Sequence, residues 1–122
     1  MVEIDRIEGL LQRHGTAFLN RCFTPAEQAY CQSRHTPAMH LAARFCAKEA
    51  VVKALGTGLR GKMAWTDINI TTDPLGKPQI DLSGPTAEQA ALLGIKRWHI
   101  SLTHTRQYAL AGVIAEGSPD GA

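Results

Sequence analysis

The chain has 122 residues, of which 44% are hydrophobic and 20% are charged, and its formal net charge is +2. This length suits one domain with its own core, and so small a net charge excludes the strongly basic surface of a typical nucleic-acid-binding protein. No apolar run reaches membrane length and the N-terminus has no signal-peptide core, so neither a membrane nor a nucleic-acid partner is predicted. Three cysteines without a metal-ligand or pairing pattern indicate reduced thiols in a cytoplasmic protein.

Helices are predicted for the first part of the chain. Residues 3–13 repeat apolar side chains at helical spacing and stop before Gly15. Thr24 and Glu27 have the spacing of a capping box, in which each side chain binds the other residue's backbone amide. A second helix is therefore expected to begin there and to end near residue 33.

The longest element is predicted within residues 36–58. Thr36 can cap the first free amides, Pro37 suits the first helical position, and Gly56 suits the left-handed turn that ends a helix. About 19 residues between them contain neither glycine nor proline, which corresponds to a helix of about 28 Å. A buried face is expected, because four apolar side chains fall on one side of the helical wheel: Leu41, Phe45, Val52 and Leu55.

Charged side chains on this helix form two groups. His40, Arg44 and Lys48 recur every four residues as a basic stripe, and Glu49 and Lys53 project on the other side. One interpretation of the second group is an ordinary surface ion pair, which stabilises a helix by only about 0.2–0.5 kcal/mol. The other is a carboxylate that binds a divalent cation, while Lys53, Lys48 and Arg44 bind phosphates.

The rest of the chain is predicted to mix strands with one helix. Strands are expected at residues 65–72, 77–82, 98–102 and 108–115, a turn at residues 73–76, and the helix at residues 84–94. Their short connections favour antiparallel pairing, so the predicted class is α+β, with an antiparallel sheet packed against the long central helix. Residues 1–115 are predicted to form a single domain, and residues 116–122 a disordered tail.

The glycine loop and one histidine need separate interpretation. Residues 56–61 spell GxGxxG, but nucleotide-binding loops of this kind need a strand before the glycines and a helix after them, and the order here is reversed. The loop is either a flexible helix stop or a place where the backbone approaches a ligand. His104 ends a predicted strand, where a solvated role is ordinary. A serine nucleophile is disfavoured, because Ser101 lies on the opposite strand face.

Five sequence blocks carry a resemblance to a known family: FTxxExxYC from Phe23, RFxxKEAxxKALGTG from Arg44, WxDI from Trp65, GKP from Gly76 and SLTHT from Ser101. In this order they resemble the holo-[acyl-carrier-protein] synthases, and the similarity extends from residue 2 to about residue 113. The resemblance implies a 4′-phosphopantetheinyl transferase-like fold over nearly the whole chain.

The resemblance also implies a transferase that moves 4′-phosphopantetheine from coenzyme A to a serine of acyl carrier protein and releases adenosine 3′,5′-bisphosphate. It implies magnesium (Mg2+) as cofactor and a homotrimer with active sites at the subunit interfaces. By the same resemblance, Glu49 is a magnesium ligand that helps to deprotonate the serine through a water, and Lys53 contacts the pyrophosphate. Arg6 would meet the acidic carrier protein. The coenzyme A site would be lined by Arg44, Lys48, Gly56, Thr57, Gly58, Lys77 and His104.

One part of the family pattern falls outside the chain. Family members begin with a buried strand that ends in Gly-x-Asp, whose aspartate is the other carboxylate ligand of the metal, and this position would lie just ahead of Met1. Asp5 does not replace it, because it is expected on a helix next to Arg6. Two hypotheses follow: an active transferase whose start has been assigned too late, and a divergent, non-catalytic module that binds coenzyme A or carrier protein.

Overall fold

The computed structural model describes residues 1–118, which form five α-helices and five strands. The helices are α1 (Ile4–His14), α2 (Thr16–Cys22), α3 (Pro25–Gln32), α4 (Pro37–Leu55) and α5 (Gly84–Leu92). The strands are β1 (Val2–Glu3), β2 (Ile68–Thr72), β3 (Pro78–Leu82), β4 (Ile95–His104) and β5 (Tyr108–Gly117), and a 3-10 turn (Trp65–Asp67) precedes β2. The predicted α+β class is confirmed.

The strands pair antiparallel, as predicted, but they divide into two sheets rather than one. β1, β5 and β4 form the first sheet in that order, and β2 and β3 form the second as a hairpin. Asp73 fixes the predicted turn of this hairpin, because its side chain accepts hydrogen bonds from the N–H groups of Leu75 and Lys77, each at 2.9 Å. The long helix packs against both sheets.

The long helix, α4, lies at the centre of the molecule, because side chains around most of its circumference are buried. Its predicted apolar face is confirmed, since all four positions are buried: Leu41, Phe45, Val52 and Leu55. Gly56 ends the helix at φ 79°, in the left-handed region. Thr36 makes no side-chain cap bond, however, because its backbone (φ −126°, ψ 81°) lies outside the extended conformation usual for a cap. Within residues 1–118, neither α4 nor any shorter helix is long and apolar enough to cross a membrane.

Several elements in the structure differ from those expected. The helix α2 was not predicted. Gly15, at φ 49°, separates it from α1, and its inner face joins the hydrophobic core. The strand predicted from residue 65 begins only at Ile68, because the Asp67 carboxylate accepts a hydrogen bond from the N–H of Ala64 at 3.2 Å and closes the 3-10 turn.

The last strand, β5, continues to Gly117, beyond its predicted end at residue 115. Glu116 is paired with Arg97 of β4, and its carboxylate lies 3.0 Å from the Arg97 Nε. The expectation of a disordered tail from residue 116 is therefore corrected for residues 116 and 117, because the strand pairing continues through them. Its final part, residues 119–122, lies outside the described residues.

Candidate active site

Lys48 lies in the interior, where it joins several elements. Its Nζ is 2.6 Å from Glu27 Oε1 and donates to the carbonyl oxygens of Cys22 at 2.7 Å and Trp65 at 3.2 Å. Both charged side chains are fully buried. Burial lowers the pKa of Lys48, and the carboxylate of Glu27 opposes that shift. The ammonium group is satisfied inside the protein, so the expectation that Lys48 lines the coenzyme A site is corrected: a soluble phosphate does not reach it.

Glu27, the partner of Lys48, has two functions. The predicted capping box is present, with Glu27 N donating to Thr24 Oγ1 at 3.2 Å and Thr24 N donating to Glu27 Oε1 at 2.8 Å. Its second oxygen, Oε2, accepts a hydrogen bond from the N–H of Ile70 in β2 at 2.7 Å. The sequence spacing indicates only the first function, because the contacts with Lys48 and Ile70 join distant parts of the chain. These bonds hold α3 and β2 against α4.

Arg44 is the central residue of a pocket on one side of α4. It is only 2% exposed, its Nη2 donates to Thr72 Oγ1 at 2.9 Å, and its guanidinium lies over the ring of Tyr30 at 4.2 Å. Its Nη1 donates to the carbonyl oxygen of His40 at 3.4 Å. Within the described residues, the buried Nε has no hydrogen-bond partner. A buried guanidinium with an unused donor suits an anionic ligand.

The pocket around Arg44 has a volume of about 160 Å³, and no carboxylate of residues 1–118 lines it. Its lining residues are Tyr30, His40, Ala43, Arg44, Thr72, Gly76, Pro78, Leu102 and His104. His104 ends β4, as predicted, and its ring is 5.8 Å from that of His40. Lys77 is exposed on the β2–β3 turn and lines an adjoining groove of about 600 Å³ rather than the pocket itself. The structure thus brings Arg44 and His104 together, with Lys77 beside them.

A second group of predicted residues lies further along α4. Glu49 is half-buried and Lys53 is exposed, and no ion pair joins them within residues 1–118. The interpretation of this group as a surface ion pair is therefore not supported. Gly56 and Gly58 follow at φ 79° and 67°, and Thr57 Oγ1 donates to the carbonyl oxygen of Gly58 at 3.0 Å. Two unpaired charged groups and an exposed glycine backbone are thus open to a ligand.

These two groups face different directions. Arg44 and Lys53 are separated by about 180° around the helix and about 13.5 Å along its axis. Arg44 and Glu49 are separated by about 140° and about 7.5 Å. One chain therefore presents two separate candidate sites. We call them the Arg44 pocket, lined as described above, and the Glu49 patch, which comprises Glu49, Lys53 and residues 56–58.

The Glu49 patch contains one carboxylate that a hard cation can use. Within residues 1–118, the structure contains no group of three or more His, Cys, Asp or Glu side chains arranged to bind a metal ion. Magnesium is usually held by only one or two carboxylates, together with substrate phosphates and waters. Because Glu49 is half-buried and unpaired, it fits a cation that is also held by a phosphate.

Arg6 belongs to a separate surface formed by α1 and α2. Arg6 and Arg13 are exposed and lie on one stripe of α1, with Leu10 between them. Leu10, Phe18 and Arg21 line a mainly apolar pocket of about 340 Å³ at this surface. Arginines beside an apolar pocket suit an acidic protein partner with an apolar anchor. Sequence reasoning identified Arg6 but missed the pocket, because α2 was not predicted.

Sequence reasoning also missed two residues of the Arg44 pocket, Tyr30 and Thr72. Tyr30 stands in a recognised sequence block, but only the packing of α3 against α4 places its ring under Arg44. Thr72 carried no signal beyond its position at the end of a predicted strand.

Residues 1–113 match the sequence profile of the 4′-phosphopantetheinyl transferase superfamily. The chain is 47% identical over 116 residues to a holo-[acyl-carrier-protein] synthase from Koribacter versatilis, which covers 95% of this chain and 93% of that protein. It is 50% identical over 115 residues to one from Trichlorobacter lovleyi, with coverage of 94% and 91%. The chain is thus a member of the phosphopantetheinyl transferase class of proteins.

Two solved structures narrow the relationship. A holo-[acyl-carrier-protein] synthase from Neisseria meningitidis superposes with a TM-score of 0.85 at 39% identity, covering 94% of this chain and 92% of that one. The Helicobacter pylori protein, solved in complex with coenzyme A, superposes with a TM-score of 0.82 at 31% identity, covering 94% and 95%. The predicted fold is confirmed. The chain belongs to the holo-[acyl-carrier-protein] synthase family.

Proposed function

We propose that this protein transfers 4′-phosphopantetheine from coenzyme A to a serine of apo-acyl carrier protein, as a step that serves fatty acid biosynthesis. Its family membership supports this reaction. The Arg44 pocket is the observation that carries the proposal. A buried guanidinium and two imidazoles line that pocket without any carboxylate, which suits the phosphates of coenzyme A.

In the proposed reaction, the serine hydroxyl attacks the phosphorus that bears the pantetheine. A serine O–P bond forms, the P–O bond to adenosine 3′,5′-bisphosphate breaks, and the hydroxyl proton passes to water. Negative charge accumulates on the transferred phosphoryl oxygens and on the leaving phosphate. The ammonium of Lys53 is proposed to neutralise that charge, and the carboxylate of Glu49 to orient the water that accepts the proton.

Magnesium is the proposed cofactor, with Glu49 as its protein ligand. When bound, the cation would neutralise charge on the pyrophosphate. Glu49 supplies a half-buried negative charge for it. Lys53 is not paired with Glu49 and therefore stays available for the phosphate itself.

We further propose a homotrimer whose active sites lie between subunits. The support is the arrangement of α4, on which the Arg44 pocket and the Glu49 patch face opposite sides. One coenzyme A molecule reaches both half-sites when the Arg44 pocket of one chain faces the Glu49 patch of another. Such a contact joins two different surfaces, and repeating it around a rotation axis closes a ring.

A mixing experiment tests the shared site. At a limiting concentration of coenzyme A, Arg44→Ala and Glu49→Gln chains are each expected to have very low turnover. A mixed trimer, however, contains some interfaces with an intact Arg44 pocket from one chain and an intact Glu49 patch from the other. Random mixing in equal amounts should restore about a quarter of wild-type turnover, because each interface draws its two chains independently. No recovery after verified subunit exchange would place both half-sites in one chain.

The surface formed by α1 and α2 is proposed to bind acyl carrier protein. The exposed guanidinium groups of Arg6 and Arg13 would attract its acidic surface, and the pocket beside Leu10 would receive an apolar side chain. We also propose a cytoplasmic location. All three cysteines are free and buried, as is usual in a reducing compartment.

Mass spectrometry of apo-acyl carrier protein tests the function directly. After incubation with this protein, coenzyme A and magnesium, the carrier is expected to gain the mass of one phosphopantetheine, and omission of magnesium should abolish the gain. The competing function is a module that binds coenzyme A without transfer, which the single carboxylate of the Glu49 patch favours. That module would bind coenzyme A and leave the mass of the carrier unchanged.

A further inference from the structure

The Arg44 pocket contains a second imidazole, His40, to which the family resemblance assigns no role. Its ring lies 5.8 Å from the ring of His104 and 6.0 Å from that of Tyr30. The guanidinium groups of Arg44 and Arg34 lie at 4.2 and 4.4 Å from the centre of the Tyr30 ring. His40 therefore stands among cationic groups of α4, of β4 and of the segment between α3 and α4.

This cluster lacks the negative charge that would balance it. Among the residues that the structure describes, no carboxylate lines the pocket. The Nε of Arg44, a residue that is only 2% exposed, has no hydrogen-bond partner within the described residues. A phosphate group would supply acceptor oxygens for this donor and for the imidazole N–H groups. The geometry thus indicates an anion beside His40.

The empty pocket and the filled pocket place His40 in different electrostatic environments. In the empty pocket, burial lowers the pKa of His40, and the positive charges of Arg44, His104 and Arg34 lower it further. A phosphate in the pocket places a negative charge beside His40 and so favours its imidazolium form. The pKa of His40 is therefore higher with the ligand than without it.

We propose that His40 is a further coenzyme A-binding residue, which takes up a proton as a phosphate group of coenzyme A enters the Arg44 pocket. The inference rests on the proposed function, because coenzyme A supplies the phosphate. Binding that takes up a proton strengthens as the pH falls. For one proton this effect is at most about tenfold in Kd per pH unit. Across the full range from pH 8 to pH 6, we expect His40 to contribute about three- to tenfold.

Isothermal titration of coenzyme A in buffers with different ionisation enthalpies measures the protons taken up. At pH 7 we expect wild-type protein to take up about 0.3–1 proton more than His40→Gln, which keeps a polar side chain but cannot be protonated. His35→Gln is the matched control, because His35 is exposed and does not line the pocket. Equal uptake by wild type and His40→Gln would overturn the proposal.

The titration also separates two sources of phosphate. With 3′-dephospho-coenzyme A, loss of the difference between wild type and His40→Gln identifies the 3′-phosphate as the group at His40. Persistence of the difference identifies the pyrophosphate. Either result supports the proposal.

An NMR titration of the imidazole signals in wild-type protein keeps the inference testable if His40→Gln does not fold. The apparent pKa of His40 is expected to rise when coenzyme A is added, and an unchanged pKa would refute the inference. Failure of the proposed function is distinct from either outcome. In that case, wild-type protein neither binds coenzyme A nor modifies the carrier, whereas failure of the His40 inference alone leaves binding and transfer intact.

Discussion

The helix α4 carries lysine and glutamate side chains in two contrasting environments, one buried in the interior and the other at the surface. Lys48 is fully buried against Glu27, which comes from another helix. The next residue, Glu49, is half-buried, and Lys53, one turn later, is exposed without an ion pair to it. One step along a helix turns a side chain by about 100°, enough to separate a structural charge from one that can bind a ligand. Residue type and local spacing therefore do not distinguish the two functions.

The largest expected effect is on stability, from the interior pair. Lys48→Met leaves the Glu27 carboxylate buried without its cation, and should lower the free energy of unfolding by about 3–5 kcal/mol. Lys53→Met makes the same change on the exposed side and should alter it by less than about 0.5 kcal/mol. Urea unfolding of both variants measures the difference. Similar losses in the two variants would show that the interior pair has no special role.

The next effect concerns turnover in the Glu49 patch. Glu49→Gln keeps the shape of the side chain but removes its charge, so turnover should fall by at least about 100-fold. The free energy of unfolding should change by less than about 0.5 kcal/mol, because Glu49 makes no ion pair with any other residue of the described part of the chain. Glu88→Gln, on the exposed side of α5, is the control and should retain wild-type turnover. Wild-type turnover in Glu49→Gln would show that Glu49 is an ordinary surface residue without a role in the reaction.

A third, smaller effect separates the two substrates. Arg6→Glu reverses a charge on α1 and should raise the KM for carrier protein by about tenfold, with less effect at high salt, while the KM for coenzyme A stays unchanged. Arg44→Ala should instead raise the KM for coenzyme A. Steady-state kinetics with each substrate varied in turn measures both constants. If both variants raise the KM for the same substrate, the assignment of the two surfaces is wrong.

The smallest effect is the pH dependence of stability that comes from the buried thiol of Cys31. Burial raises the pKa of Cys31 from 9.0 to about 11. As the pH rises from 9 towards 11, the unfolded chain loses this thiol proton first, so the free energy of unfolding falls. One titrating group changes the free energy of unfolding by at most about 1.4 kcal/mol per pH unit. Cys31→Ala should lose less stability than wild type between pH 9 and pH 10 in urea unfolding. Parallel losses in the two proteins would mean that Cys31 does not titrate differently on folding.

Local sequence rules determined much of the fold. The capping box at Thr24, the proline and glycine that bound α4, and the alternation of residues in β2 and β4 each act within a few residues of the chain. The helix and strand positions could therefore be predicted. The shorter α2 could not, because its seven residues owe their helical form to packing against the core rather than to a strong local signal. The family blocks are likewise readable in sequence, although they carry no information about distances.

Tertiary structure decided which charged residues can act on a ligand. Lys48 and Glu27 stand 21 positions apart, and only the packing of α3 against α4 buries them together. The same packing places Tyr30 beneath Arg44, whereas the packing of β4 against α4 brings His104 near His40. Helical periodicity determines the angle between two side chains on α4, but burial depends on what each side of the helix meets in the folded chain. The sequence alone therefore determined the helix that carries both the Arg44 pocket and the Glu49 patch, and the fold decided which of its charges are buried in the interior.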